Sequence, residues 1–149
     1  RVRVARGVRL PTRSEGGTPA IMGDIRAGVA FLEAIGFVPV AVYWSTTDPD
    51  LLDHAEFSWP GGGGLMCGSA AREPDHGYER RAGAASVYCV LPTDAAVEEV
   101  YAQALAAGGI GAVEPYDPDY GGRNGTVRDV EGNQWSFGSY AGHGAAPEA

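Results

Sequence analysis

The stretch that most constrains the fold is 120–140, which reads YGGRNGTVRDVEGNQWSFGSY. Its segments 126–128 and 134–137 are rich in β-branched and aromatic side chains, which favour strands. The sequence Asp-Val-Glu-Gly-Asn at 129–133 lies between them, and Gly132 is free to take the positive φ that a tight turn requires. The stretch therefore predicts a β-hairpin near the end of the chain.

The rest of the chain repeats one order of helix and strand patterns. Asp24 is a candidate N-cap for a helix whose apolar residues recur at three- and four-residue spacing, and Gly36 ends it. Apolar segments predict strands at 20–22, 37–44, 53–59 and 65–67 in the first half, and at 85–91 and 110–113 before the hairpin in the second. A second helix begins at Thr93 or Asp94 and ends at Gly108-Gly109. The segments GLMCGS and QWSFGS align at a spacing of 70, so we predict two βαβββ modules.

The hairpin also resembles the C-terminal hairpin of the vicinal-oxygen-chelate superfamily, the glyoxalase, bleomycin-resistance and extradiol-dioxygenase group. That hairpin typically reads YG-x-R…V-x-D-P-[DE]-G-[NH]-x-[WI]-x-[FL], and Val130 stands where the pattern usually has Pro. The resemblance implies an α+β fold in which paired βαβββ modules form a curved mixed sheet around a cavity. We expect one domain over 19–140, with modules at 19–70 and 84–140, and a flexible tail at 141–149.

The first 18 residues differ from the rest in charge. They carry five of the eleven arginines and only one acid, whereas residues 19–149 carry six arginines against eighteen acids. We expect 1–18 to be a flexible basic leader, and the alternative is an edge strand formed by the alternating residues 1–4. The acidic body disfavours nucleic acid as a partner. The sequence has no apolar run of membrane-spanning length, so we expect no membrane partner and a cytoplasmic location. The two cysteines, Cys67 and Cys89, lie in apolar segments and are expected to be reduced core residues.

The resemblance also indicates where metal ligands would lie. Enzymes of the superfamily carry His, Glu or Gln on the first and last strands of each module, and carried over to this chain these positions hold residues 19–22, Met66, Ser86 and Ser136. A thioether and neutral hydroxyls are poor ligands for divalent metals, so we expect neither a metal nor another cofactor.

The histidines offer a different interpretation. His54 and Glu56 share one face of a strand and could hold a metal with a neighbour; the alternative is a hydrogen-bonded pair that lines the cavity. His76 and His143 are expected to face solvent.

Strand alternation predicts which side chains line the cavity. If Ser86 faces it, Tyr88 does too, while Val87 and Cys89 pack under the helix. By the same parity Gln134 and Ser136 face the cavity and Trp135 packs in the core. The alternative for Tyr88 is a core tyrosine. The candidate ligand-binding residues are Met66, Ser86, Tyr88, Gln134, Ser136, Tyr120, Arg123, His54 and Glu56.

Four further aromatic or charged residues have open roles. Tyr120 and Arg123 are placed at the cavity mouth, and the alternative for Arg123 is pairing with Asp129 or Glu131 to brace the hairpin. Trp44 and Trp59 are candidates for closing the cavity or forming a subunit contact, and we expect a homodimer.

Two functions compete. The leading hypothesis is a metal-free protein that binds a small planar or amphipathic molecule, such as an antibiotic or secondary metabolite, without a catalytic residue. The alternative is a metal-dependent lyase or dioxygenase of the same superfamily. A third interpretation is a structural dimerisation module.

Overall fold

A computed structural model describes residues 2–4, 8–10, 25–69 and 83–142. The strands are β1 (Val2–Val4), β2 (Val8–Leu10), β3 (Val38–Trp44), β4 (Leu52–Ser58), β5 (Gly64–Ser69), β6 (Ser86–Val90), β7 (Ile110–Tyr116), β8 (Asn124–Arg128) and β9 (Gln134–Gly138), and the helices are α1 (Ile25–Ala34) and α2 (Asp94–Ala106).

The strands form two mixed sheets that repeat one topology. The five-stranded sheet has the order β1-β6-β9-β8-β7 and the four-stranded sheet the order β2-β5-β4-β3. In each sheet the first and last strands of a module pair in parallel, β6 with β9 and β2 with β5. The units β2-α1-β3-β4-β5 and β6-α2-β7-β8-β9 therefore match, and the predicted α+β fold of paired βαβββ modules is confirmed.

The N-terminal strands correct two expectations. Residues 2–4 pair with β6 at the edge of the five-stranded sheet, as the edge-strand alternative predicts, and β2 is the first strand of the first module. The expected flexible leader is therefore wrong for residues 2–4 and 8–10. The predicted strand at 20–22, the cap at Asp24, the histidines 76 and 143, and the tail beyond 142 lie outside the described residues. The domain boundaries stay a prediction.

The helices follow their apolar spacing, with one exception. Ile25, Leu32 and Ile35 of the first helical segment are buried, and Gly36 ends it at a φ of 108°. Thr93 caps α2 by accepting a hydrogen bond from the Ala96 amide at 3.1 Å. Leu105 of α2, which the same apolar spacing places on one face with Val97 and Tyr101, is exposed although those two residues are buried.

The core lies between the helices and one face of each sheet, and aromatic side chains join the two halves. Trp135 of β9 has its ring centroid 6.1 Å from that of Phe31 on α1 and 5.8 Å from that of Phe37. Trp59 donates from Nε1 to the Val90 carbonyl at 3.0 Å, so it links the end of β4 to β6. Because Trp59 is buried, the subunit contact predicted for it is wrong, and closure of the cavity stays a prediction.

The two cysteines lie in the core, and Trp44 lies beside it. Cys67 and Cys89 are free and buried, and burial raises the pKa of each thiol to about 12. Trp44 is half-buried under the Arg26 guanidinium, whose central carbon lies 4.3 Å from the ring centroid.

No helix among the described residues is both long and apolar enough to cross a membrane.

The C-terminal hairpin is organised by one buried carboxylate. Asp129 accepts hydrogen bonds from the Glu131 and Asn133 amides, the Asn133 side chain and Trp135 Nε1, at 2.9–3.0 Å. Gly132 takes a φ of 89° in this turn, so both the predicted hairpin and its glycine are confirmed.

Candidate functional site

Strands β6, β8 and β9 have one face in the core and one facing away from it, which we name the open face. Val87, Trp135, Phe137 and Val127 are buried beneath this sheet. The residues between them form the open face, where Ser86 is exposed and Tyr88, Gln134 and Ser136 are half-buried. The predicted alternation is therefore confirmed, and Trp135 is a core residue.

The strand register arranges the open face in three rows. Each row crosses β6, β9, β8 and β7 in that order, because these strands are neighbours in the sheet. The rows are Ser86, Gln134, Arg128 and Ile110; Tyr88, Ser136, Thr126 and Val113; and Val90, Gly138, Asn124 and Tyr116. In the middle row, Ser136 Oγ lies 3.0 Å from Thr126 Oγ1, so the two hydroxyls satisfy each other.

Tyr88 lies across the gap left by a glycine. A Cβ built on Gly138 would lie 2.0 Å from Tyr88 Oη and 2.6 Å from its Cζ, so the phenol occupies the space that a side chain would fill. Tyr88 Oη donates to the Tyr140 carbonyl at 3.0 Å, and burial raises the pKa of the phenol. The ring therefore forms part of the open face while its hydroxyl is tied to the segment after β9.

Tyr120 lies near Tyr88, because it contacts Tyr140, whose carbonyl oxygen is bonded to the Tyr88 hydroxyl. Their ring centroids are 5.3 Å apart with the rings tilted edge to face, and half of Tyr120 is exposed. Desolvation raises the pKa of Tyr120, with smaller contributions from Tyr116. Tyr88, Tyr120 and Tyr140 thus form an aromatic rim at one end of the open face.

Arg123 anchors the loop beside this rim and has different partners from those we predicted. Its Nε donates to Glu98 of α2 at 2.5 Å, its Nη1 to Asp117 at 2.7 Å and its Nη2 to the Pro115 carbonyl at 3.2 Å. The hydrogen bond to Asp117 is the main cause of its raised pKa. Pairing with Asp129 or Glu131 is therefore wrong, because Arg123 ties the loop to α2 rather than bracing the hairpin.

The remaining candidates lie on the other sheet. His54 Nε2 and Glu56 Oε1 are 3.0 Å apart on β4, which confirms the hydrogen-bonded pair, and Tyr43 stacks on His54 with ring centroids 6.4 Å apart. Met66 of β5 lies opposite Glu56 and is 59% exposed. Strand β1 lies between β6 and the four-stranded sheet, so the structure divides the predicted residues into two groups. One group consists of Ser86, Tyr88, Gln134, Ser136 and Tyr120, and the other of His54, Glu56 and Met66.

Comparisons with known proteins identify the fold. No family model and no curated protein matches the sequence. Among solved structures, TioX from Micromonospora sp. ML1 superposes with a TM-score of 0.58 at 19% identity, covering 90% of this chain and 98% of that one. A glyoxalase/bleomycin resistance protein/dioxygenase family enzyme from Burkholderia phytofirmans PsJN gives a TM-score of 0.53 at 18% identity, covering 88% and 94%. The fosfomycin resistance protein FosX from Listeria monocytogenes, solved with Mn(II) and sulfate, gives 0.53 at 14%, covering 91% of each chain. The chain has the vicinal-oxygen-chelate fold.

The donors at the positions that the resemblance assigns to metal ligands do not fit a divalent metal. Met66 offers a thioether, Ser86 a neutral hydroxyl, and Ser136 a hydroxyl already bonded to Thr126. Among the described residues, no group of three or more His, Cys, Asp and Glu side chains could hold a metal ion. The His54 and Glu56 pair has no third such ligand within that part of the chain.

The sequence reasoning missed several residues of the open face and its rim, among them Thr126, Asn124, Arg128 and Tyr140. Thr126 and Asn124 could have been found by extending the alternation of β9 to its hairpin partner, because residues paired across an antiparallel ladder share a face. Tyr140 carries no such signal, since it lies beyond the strand and contacts Tyr88 through its carbonyl oxygen.

Proposed function

We propose that the chain binds a small planar or amphipathic organic molecule, of the antibiotic or secondary-metabolite class, and holds it without a metal. The observation that carries the proposal is the open face: Tyr88 fixed across Gly138, beside Ser86, Gln134 and Ser136. An aromatic ring offers a flat apolar surface, and a few hydroxyl and amide groups around it fix the orientation of a ligand. Binding and sequestration need no further chemical group.

The donor chemistry supports the metal-free part of the proposal. The serine hydroxyls and the thioether at the family's ligand positions suit polar and apolar ligand contacts better than metal coordination. The structural similarity to a fosfomycin resistance protein supports an antibiotic as one ligand class.

The test is a screen of planar and amphipathic compounds against the purified protein by native mass spectrometry, with and without EDTA. We expect one-to-one complexes whose abundance EDTA does not change. Complexes that disappear in EDTA and return with added manganese would overturn the metal-free proposal in favour of the lyase or dioxygenase alternative.

We also propose that the chain forms a homodimer through the edge strands β3 and β7. Val38 and Val40 on β3, and Ile110 and Val113 on β7, are all exposed, and Val40 exposes 65% of its surface. Apolar groups at a sheet edge favour association with a second copy. Sedimentation equilibrium should give the dimer mass for the native chain and the monomer mass for a Val40→Glu, Ile110→Glu variant. A native chain that sediments as a monomer at micromolar concentration would contradict this.

A further inference from the structure

Asn124 holds a buried oxygen that no group satisfies. Among the described residues, Asn124 Oδ1 and Glu131 Oε1 are the buried side-chain oxygens without a hydrogen-bond partner. Glu131 lies in the hairpin turn beyond the far end of β8, whereas Asn124 is the first residue of that strand. A buried acceptor without a donor costs free energy that an arriving donor would recover.

The strand register places Asn124 in the aromatic part of the open face. It shares the parity of Thr126, whose hydroxyl contacts Ser136 on that face. Its neighbour on β9 is Gly138, the residue across which Tyr88 lies, and its neighbour on β7 is Tyr116. Asn124 therefore lies between Gly138, which the Tyr88 phenol covers, and Tyr116.

The charge of the surrounding surface limits the ligand further. Residues 25–69 and 83–142 carry three arginines and thirteen carboxylates. Arg26 lies over Trp44, and Arg123 is bonded to Glu98 and Asp117, so neither is placed to receive an anion on the open face. The third arginine, Arg128, is exposed on the open face, but it lies in the row of Ser86 and Gln134, at the other end of β8 from Asn124. A neutral or cationic ligand therefore suits the Asn124 end of the open face better than an anionic one.

We propose that Asn124 selects the ligand by accepting a hydrogen bond from an aromatic N–H group. The ligand class is thus a planar nitrogen heterocycle, neutral or cationic, that stacks beside Tyr88 and donates to Asn124 Oδ1. This inference rests on the proposed small-molecule function and adds the chemical group that is recognised. Because Oδ1 is buried whereas the residue as a whole is half-buried, binding requires the Asn124 side chain to rotate so that this oxygen meets the ligand.

The experiment compares heterocycles that differ only in the donor. The probes are norharmane, indole and benzimidazole, each titrated beside its N-methyl counterpart by fluorescence or ligand-observed NMR. The native chain should bind each N–H compound about tenfold more tightly than the N-methyl one, since the methyl group removes the donor and leaves the acceptor unpaired.

Two substitutions at Asn124 distinguish the effect of its hydrogen-bond acceptor on binding from the effect of its side-chain size. Asn124→Leu, of similar volume, should reduce the N–H preference to about onefold, whereas Asn124→Asp keeps an acceptor and should retain the preference. Asn124→Val serves if the leucine variant does not fold, as judged by circular dichroism and urea unfolding. Gln103→Leu makes the same amide-to-apolar change on the exposed side of α2 and should leave the preference unchanged.

The outcomes distinguish this inference from the function on which it rests. If N–H and N-methyl compounds bind the native chain equally, and Tyr88→Ala weakens both, Asn124 is not the selecting group and the open face remains the site. A preference that survives Asn124→Leu overturns the inference in the same way. If none of the probes binds, the ligand class is wrong, and the wider compound screen decides separately on the proposed function.

Discussion

The two βαβββ halves share one topology but close their last hairpins differently. In the second half, the turn at 129–133 is built around Asp129, a buried carboxylate with four hydrogen-bond donors. In the first half, β4 and β5 are joined by Pro60 and glycines, and the connection is held by backbone bonds such as Trp59 N to the Gly63 carbonyl at 3.0 Å. Two hairpins of the same topology are therefore stabilised differently, one by a buried side chain and the other by backbone hydrogen bonds.

The surfaces of the two sheets that face away from the core also differ in their side chains. Core-facing positions stay apolar in both halves, with Leu65 and Cys67 on β5 matching Trp135 and Phe137 on β9. The outward positions diverge, because Met66 stands exposed on β5 where Ser136 is bonded to Thr126 on β9. The second half thus presents hydroxyls that are bonded to each other beside Tyr88, whereas the first half exposes Met66 beside the His54 and Glu56 pair.

The largest expected effect comes from the turn at 129–133. Asp129→Ala should lower the free energy of unfolding by ~3–5 kcal/mol, because buried donors lose their acceptor. Asp48, in the loop between β3 and β4 of the first half, is an exposed control aspartate that accepts from the Asp50 amide at 2.9 Å. Asp48→Ala should therefore cost below ~1 kcal/mol. Urea unfolding of both variants measures the difference, and equal losses would show that the buried carboxylate does not set the stability of the second turn.

A smaller effect concerns the pH dependence of the second turn. Desolvation, together with the nearby Asp129 carboxylate, raises the pKa of Glu131 from 4.5 to about 7. The folded chain then binds this proton more tightly than the unfolded chain does, so stability should fall as the pH rises from about 4.5 to about 7.

Glu131→Gln tests this by removing the charge. Since the Glu131 side chain is only half-buried, solvent screening reduces the expected gain in the free energy of unfolding at pH 8 to ~1 kcal/mol. The gain should vanish near pH 4, where the native side chain is protonated. Unfolding titrations at both pH values measure it, and a gain of the same size at pH 4 would point to packing rather than charge.

The smallest expected effect tests whether Arg123 is held by protein partners or contacts the ligand. Its side chain is bonded to Glu98, Asp117 and the Pro115 carbonyl, so Arg123→Lys should lose part of this set and lower the stability slightly. Ligand affinity should change by less than twofold, because the guanidinium is occupied within the protein. A loss of affinity larger than the loss of stability would return Arg123 to the ligand-binding residues.

The parts of the fold that follow from local pattern were predictable, and those set by distant partners were not. The alternation of Gln134 to Phe137 gives both the core and the open face of β9, and Gly132 marks the turn. The partners of Arg123 come from α2 and from the loop after β7, a pairing that no local pattern indicates.

Register irregularities set a second limit on prediction. Strands β3 and β7 shift register between Pro39 and Ala41 and between Gly111 and Val113, so strict alternation fails on both edges. Residues 2–4 and 8–10 form strands by pairing with β6 and β5, although the arginine-rich composition of the N-terminal segment favoured a leader. The sequence also placed Met66 and Tyr88 on one surface, because β1 between them was not expected.

The most direct test of the account is a titration that compares one tyrosine from each half. Tyr88 lies in the open face of the second half, whereas Tyr43 is exposed on β3 beside His54. For the tightest ligand found in the compound screen, measured in EDTA, Tyr88→Ala should weaken binding by ~1–3 kcal/mol through loss of its aromatic surface. Tyr43→Ala, at equal fold stability, should leave the affinity within twofold of the native chain. Unchanged affinity in Tyr88→Ala, or a larger loss in Tyr43→Ala, would contradict the assignment of the site to the second half.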